Sequence, residues 1–173
     1  MEILTIVVIL LTVILLLFLL SMIWPPDSPW SPWWRTNNKT AKALCKVAQI
    51  TEKDYLIDLG CGDGEVLITA ARHFGATGLG VEIDPFRAYF ASIRVQLFGL
   101  SKKVHIKRQN LFETELKDAT VIVVYLVPKT LERLGPRLKK LKKGTRVVSY
   151  MYQIPFLKLS EKDSKSKLYV YTL

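Results

Sequence analysis

The stretch from Tyr55 to Gly64, Tyr-Leu-Ile-Asp-Leu-Gly-Cys-Gly-Asp-Gly, constrains the fold of this chain more than any other. A compact apolar run followed by turn residues predicts a buried strand over Tyr55–Leu59, and the next residues predict a helix over Glu65–Phe74. Three alternating glycines remove the Cβ atoms that would block a ligand. The start of the helix offers N–H groups to an anionic group. The stretch therefore predicts a ligand-binding turn, although glycines also serve tight turns that bind nothing.

Strands and helices alternate through the rest of the chain. Besides the first strand and helix, we expect a helix over 36–50, strands over 78–83, 104–108, 119–126 and 145–150, helices over 86–98 and 129–141, a polar turn at 160–167 and an edge strand over 168–173. This alternation predicts a Rossmann-like, doubly wound α/β fold with a mostly parallel sheet. Ligands of such sheets bind where the strand order reverses, so Asp58–Gly64, Glu82, Asn110 and Tyr125 should surround one crevice.

The spacing of the glycines narrows the choice of ligand. A dinucleotide fingerprint requires G-x-G-x-x-G, whereas here Gly60, Gly62 and Gly64 alternate. A P-loop would need a lysine and a hydroxyl residue after the last glycine, where this chain has Glu65. The second predicted strand carries an acid near its end, Glu82, at a distance suited to a ribose diol. Neither the dinucleotide nor the P-loop pattern is therefore present.

The pattern Asp58-Leu-Gly-Cys-Gly-Asp-Gly64 resembles the first motif of the class I S-adenosylmethionine-dependent methyltransferases. The resemblance implies S-adenosylmethionine as the cofactor. It assigns the amino group of the cofactor to Asp58, both ribose hydroxyls to Glu82, and the adenine to Ile83, Asn110 and Leu111. The turn residues Gly60, Cys61, Gly62 and Gly64 would then approach the methionine and ribose portions.

The segment Val124-Tyr125-Leu126-Val127-Pro128 stands where related enzymes that methylate base or amide nitrogens have an Asn/Asp-Pro-Pro-aromatic signature. That departure argues against such substrates. Together with an N-terminal anchor, the pattern is similar to the small membrane-anchored lysine methyltransferases, whose mitochondrial relatives modify the adenine nucleotide translocase and the ATP synthase c-subunit. The resemblance implies a protein lysine as substrate and places Tyr125 and Pro128 beside it. Tyr125 could instead simply pack in the sheet. An RNA or phospholipid-headgroup methyltransferase and a non-catalytic cofactor-binding scaffold remain the alternatives.

Residues Ile3 to Ile23 contain no charged side chain. About 20 such residues span a bilayer. A cleaved signal peptide would have a basic start, a shorter apolar core and a small-residue cleavage site, and this segment has none of these. We therefore expect a single transmembrane anchor over residues 1–24, a Pro/Trp-rich interfacial linker over 25–35 and a methyltransferase domain over 36–173.

The flanks of the apolar segment predict its orientation. Arg35, Lys39, Lys42 and Lys46 follow it, whereas nothing basic precedes it. The positive-inside tendency then puts the domain on the cytoplasmic side of the membrane, or on the matrix side of the mitochondrial inner membrane in a eukaryote. The four tryptophans of the linker region suit the membrane interface, although some could pack on the domain; they are Trp24, Trp30, Trp33 and Trp34.

The formal net charge of +10 lies almost wholly outside the apolar segment. The basic run Lys139–Lys143 could complement a helix dipole, face anionic lipid or bind nucleic acid. Nucleic acid is the least favoured partner because no RNA-binding module accompanies the charge. Cys45 and Cys61 are expected to be reduced thiols, and we expect no metal site because the cysteines and histidines lack ligand spacing.

Overall fold

A computed structural model describes residues 2–23 and 34–173 of the chain. Most of the expected linker, with Trp24, Trp30 and Trp33, lies outside the described residues. The described parts form two separate units, of which residues 35–173 are one compact unit.

The first unit consists of helix α1 (Glu2–Ile23). Its window Ile3–Leu20 has a mean hydropathy of 3.5, and none of that window is buried. The hydroxyl of Thr12 donates to the carbonyl of Val8 at 2.8 Å, so this polar group is satisfied within the helix. Within the described residues α1 alone is long and apolar enough to cross a membrane, by length and composition only.

The second unit alternates helices and strands as expected. Its elements are α2 (Asn38–Val47), β1 (Tyr55–Leu59), α3 (Glu65–Phe74), β2 (Thr77–Glu82), α4 (Pro85–Leu97), β3 (Val104–Arg108), a short 3₁₀ helix (Leu111–Glu113), β4 (Val121–Val124), α5 (Pro128–Leu138), β5 (Arg146–Tyr150), β6 (Glu161–Asp163) and β7 (Leu168–Thr172). The expected bounds of β1, α3 and β3 agree with the structure, and those of the other expected elements differ by one to three residues at an end.

The strands form one seven-stranded sheet in the order β3-β2-β1-β4-β5-β7-β6. Strands β1 to β5 pair in parallel, whereas β7 is antiparallel to both of its neighbours. This confirms the expected doubly wound, mostly parallel α/β fold. The strand order reverses between β1 and β4, which are neighbours, and this is the position where such sheets bind ligands.

Two expectations at the end of the chain were wrong. β7 is not an edge strand, because β6 pairs with its outer side. β6 itself lies in the stretch 160–167, which was expected to be only a polar turn. Glu161, Lys162 and Asp163 have no apolar alternation or β-branched side chain that could have indicated a strand. Their pairing with β7 supplies the structure that the local sequence does not encode.

Apolar layers cover both faces of the sheet. One layer joins α2, α3 and α4 to side chains such as Val121 and Val123, and the other joins α5 to side chains such as Ile122 and Val124. β4 therefore needs apolar residues at every position, since its alternating side chains enter different cores. The apolar run extends beyond the strand because Ala119 and Leu126 are also buried, although neither pairs with β1.

Candidate active site

The turn after β1 brings three glycines into backbone conformations that favour glycine. Gly60, Gly62 and Gly64 have φ angles of 84°, 55° and 75°. The N–H groups of Gly60 and Cys61 donate to the carbonyl of Val81 at 2.8 and 3.0 Å, which joins the turn to the end of β2. The turn is thus fixed against the neighbouring strand, and α3 begins directly after Gly64. A side chain at any of the three glycines would be strained.

Glu82 joins this turn to the segment after β2. Its Oε2 accepts a hydrogen bond from the Gly62 N–H and its Oε1 accepts one from the Asp84 N–H, each at 3.0 Å. The side chain is buried, and burial raises the pKa of the Glu82 carboxyl although both backbone hydrogen bonds act in the opposite direction. Because a carboxylate oxygen can accept more than one hydrogen bond, both oxygens can still receive hydroxyl groups of a ligand.

Asp58 is the one acid of β1, and its side chain is buried. Burial raises its pKa to about 7, and the negative charges of Glu82 and Asp63 act in the same direction. Both of these neighbouring charges oppose ionisation of Asp58. A cationic ligand group near Asp58 would relieve this repulsion.

Asp63 and Glu65 differ from Asp58 because arginines neutralise them. Arg35 Nε lies 2.7 Å from Asp63 Oδ2, and Arg94 Nη1 of α4 lies 2.8 Å from the same oxygen. Arg94 Nη2 also pairs with Glu65 at 2.5 Å. Burial opposes ionisation of Glu65, but hydrogen bonds from Arg94 and Asn38 outweigh it and lower its pKa. Sequence reasoning missed Arg35 and Arg94 as site residues, because only the folded chain brings them to these acids.

The segment after β3 holds Asn110 and Leu111, both half-buried. The Asn110 side-chain oxygen accepts from the Phe112 N–H at 3.0 Å and so caps the 3₁₀ helix. This local bond orients the amide. Arg137 of α5 donates to the carbonyls of Leu111, Phe112 and Thr114 and holds the segment in place. Arg137 was also missed, since nothing in its local sequence relates it to residues 111–114.

The end of β4 places Tyr125 beside a second tyrosine. The ring centroids of Tyr125 and Tyr150 are 4.6 Å apart, with the ring planes tilted by 55°. Burial raises the pKa of the half-buried Tyr125 hydroxyl, with smaller effects of Tyr150 and Tyr152. The hydroxyl is therefore protonated at neutral pH and cannot act as a base there. Tyr150 was not singled out from the sequence, because its contact depends on the pairing of β4 with β5.

Pro128 is exposed and occupies the first turn of α5. The fixed φ of proline suits that position, so a structural role explains its presence there.

Ile83 is half-buried between Glu82 and Asp84. The other expected site residues lie at the carboxyl ends of β1 to β4 or directly after them, and the Gln109 N–H donates to the Glu82 carbonyl at 3.0 Å. The expected residues thus stand at one edge of the sheet.

Comparison with known proteins relates this arrangement to methyltransferases. The family model described as "ANTKMT methyltransferase domain" matches residues 58–161. A protein of Saccharolobus islandicus named "Protein-lysine N-methyltransferase" is 32% identical over 160 residues, which cover 88% of this chain and 98% of that protein. A Caenorhabditis elegans protein, named as the lysine N-methyltransferase of the ATP synthase c-subunit, is 29% identical over 69% of this chain and 62% of its own length.

Among solved structures, an RNA methyltransferase from Salinibacter ruber in complex with S-adenosyl-L-homocysteine superposes with a TM-score of 0.77. It is 33% identical, and the match covers 80% of this chain and 93% of that chain. The seven-stranded architecture described above is therefore the class I methyltransferase fold.

The raised pKa of Asp58 predicts a pH dependence of stability. A carboxyl whose pKa rises on folding stabilises the folded state below its unfolded pKa, and this contribution is lost as the pH rises through about 7. Asp58→Asn removes the titration, so its free energy of unfolding should fall less than that of the wild type between pH 5 and pH 8. Urea unfolding of the ligand-free full chain in detergent measures both profiles.

Asp118→Asn, in an exposed turn, is the matched control and should follow the wild-type profile. If Asp58→Asn also followed it, the buried acid would not be titrating in this range.

Proposed function

The chain belongs to the family of the ANTKMT methyltransferase domain, and from this we propose that it methylates a lysine of a membrane protein while anchored in the same membrane by α1. S-adenosylmethionine-dependent protein-lysine N-methylation is the activity of this family. Beyond that activity, we propose the anchor, the membrane substrate and the roles of individual residues. The observation that supports it most is the buried Glu82 carboxylate, which is fixed between the glycine turn and the start of α4 through both of its oxygens.

The residues at the bend fit S-adenosylmethionine, which carries a sulfonium and an amino group. Glu82, fixed through both oxygens, would accept the ribose hydroxyls, and Asp58 would receive the amino group. The backbone of Gly60, Cys61, Gly62 and Gly64 would lie along the methionine and ribose portions. Ile83, Leu111 and Asn110 would contact the adenine. When bound, the cofactor supplies a methyl group that an amine accepts by direct displacement.

The chain's own task is then to position an uncharged amine and exclude water. A lysine must lose its proton to solvent before it can accept a methyl group. A partly dry aromatic entrance lowers the pKa of the amine because burial disfavours its charged form. We assign this entrance to Tyr125 and Tyr150, whose rings are in contact. Pro128 would contribute by fixing where α5 begins, directly after this segment.

The proposed anchor is α1, whose apolar window of 18 residues has no residue buried inside the structure. The basic residues that follow it favour an orientation with the domain in the cytoplasm, or in the mitochondrial matrix of a eukaryote. An anchored enzyme reaches lysines near the bilayer surface more readily than lysines of distant soluble proteins. The C. elegans relative is named for a component of ATP synthase, which is consistent with this class of substrate.

A second candidate function is RNA methylation, because the Salinibacter ruber structure carries that description at 33% identity. The segment Val124–Pro128 argues against a base nitrogen as acceptor. The candidates differ in where the methyl group ends, so one labelling experiment separates them.

Membranes containing the full chain, incubated with methyl-labelled S-adenosylmethionine, should yield label in a protein band that resists RNase and is lost on protease treatment. Hydrolysis of the band should release methylated lysine. Membranes with Glu82→Ala are the control and should carry little label. Label in the RNA or lipid fraction would contradict the lysine assignment, and release of the enzyme by alkaline carbonate would contradict the anchor.

Tyr125→Ala and Tyr125→Phe should each lower the rate of lysine methylation by roughly ten-fold or more, because Ala removes the ring of the entrance and Phe removes the hydroxyl oxygen that would accept an amine N–H and orient the lone pair. Both variants should bind S-adenosylmethionine with wild-type affinity by calorimetry. Tyr55 lies at the amino end of β1, away from the site, so Tyr55→Phe is the matched control and should keep full activity. Wild-type rates in both Tyr125 variants would remove this residue from the mechanism.

A further inference from the structure

Helix α4 exposes an apolar stripe on the surface of the domain. Phe86, Tyr89, Phe90 and Leu97 are 50%, 69%, 49% and 81% exposed. Together with the half-buried Ile93 they recur at positions i, i+3, i+4, i+7 and i+11, which lie along one side of a helix. The opposite side, with Ala88, Ala91 and Val95, is buried. Contiguous exposed apolar side chains of this kind are typical of surfaces that bind protein or membrane.

The charges around the stripe indicate the chemistry of its partner. Residues 85–112 contain six lysine and arginine side chains and no acidic one. Four of the six are exposed, and three of these lie in the turn after α4 or on the face of β3 that α4 covers, namely Lys102, Lys103 and Arg108. Lys107 alternates with Ile106, which packs near Ala91 of α4, and therefore lies on the other face of the sheet. Aromatic side chains beside clustered cations are typical of surfaces that lie in the headgroup region of an anionic bilayer.

The course of the chain points to the same partner. Arg35, where the compact unit begins, pairs with Asp63 at 2.7 Å, and Arg94 of α4 pairs with the same carboxylate at 2.8 Å. The chain therefore enters the unit beside α4. Twelve residue steps separate Ile23 from Arg35, so the entry lies at most about 40 Å along the chain from the end of α1. If α1 is inserted, the bilayer surface is within reach of this stripe.

We propose that the α4 stripe binds the surface of an anionic membrane and forms a second contact besides α1. The inference rests on the proposed membrane anchoring. α4 begins three residues after Glu82, so its contact would hold the mouth of the active site close to the headgroups. The enzyme would then act on lysines at the membrane surface and would discriminate against lysines farther away.

The test uses the full chain in vesicles with an environment-sensitive fluorophore on a single introduced cysteine. Both native cysteines, Cys45 and Cys61, are buried, so the unmodified chain gives the background labelling. Tyr89→Cys and Leu97→Cys place the probe on the stripe. Glu132→Cys places it on an exposed position of α5 and is the matched control.

In vesicles with anionic lipid, quencher-bearing lipids should quench the probes at positions 89 and 97 several-fold more strongly than the probe at 132. The difference should shrink in zwitterionic vesicles and at high salt, since exposed charges are then screened. Equal, weak quenching at all three positions would overturn the proposal. A second result would also overturn the proposal. If lipid did not quench the probes at positions 89 and 97, but they became shielded from solvent in detergent as the protein concentration rose, the partner would be a second copy of the chain.

Carbonate extraction of the same vesicles after the fluorescence reading keeps the two ideas apart. An unquenched stripe on a protein that stays in the membrane would remove the α4 contact and leave the anchor intact. A quenched stripe on a protein that carbonate releases would remove the anchor and leave the α4 contact intact.

Discussion

The site depends on one buried carboxylate that links two loops. Glu82 accepts the Gly62 N–H with one oxygen and the Asp84 N–H with the other, so it fixes the glycine turn after β1 relative to the start of α4. Burying a carboxylate costs free energy, and these two hydrogen bonds offset part of that cost. A ligand that donates hydroxyls to the same oxygens would offset more. The hydrogen bonds that fix the turn thus also hold both Glu82 oxygens in a position where they could accept the two hydroxyls of a diol.

The distribution of charge around the turn separates structural acids from ligand-directed ones. Asp63 and Glu65 are held by Arg94, and Arg35 adds a second contact to Asp63. For Asp58, burial raises the pKa to about 7, and the charges of Glu82 and Asp63 act in the same direction. In the proposed complex, the positive charge of a sulfonium compound with an amino group would oppose the negative charge around Asp58.

How far sequence could predict this protein depended on whether the signal was local. The apolar run ending in glycines predicted β1 and α3 with their bounds, and Glu82 was singled out from its place at the end of the second strand. Long-range contacts were beyond such reasoning. The pairing of Arg94 with Asp63, the hold of Arg137 on residues 111–114 and the Tyr125–Tyr150 contact all join segments distant in sequence. β6 was missed because its three polar residues form a strand only by pairing with β7.

The central claim is that Glu82 holds the sugar of S-adenosylmethionine at the bend after β1. Calorimetry of the full chain in detergent can test it with S-adenosylhomocysteine and its 2′,3′-dideoxy analogue. The wild type should bind the diol-bearing ligand roughly ten- to hundred-fold more tightly, and Glu82→Ala should bind both ligands with similar, weak affinity. Discrimination that persists in Glu82→Ala, or equal binding of both ligands by the wild type, would contradict the account.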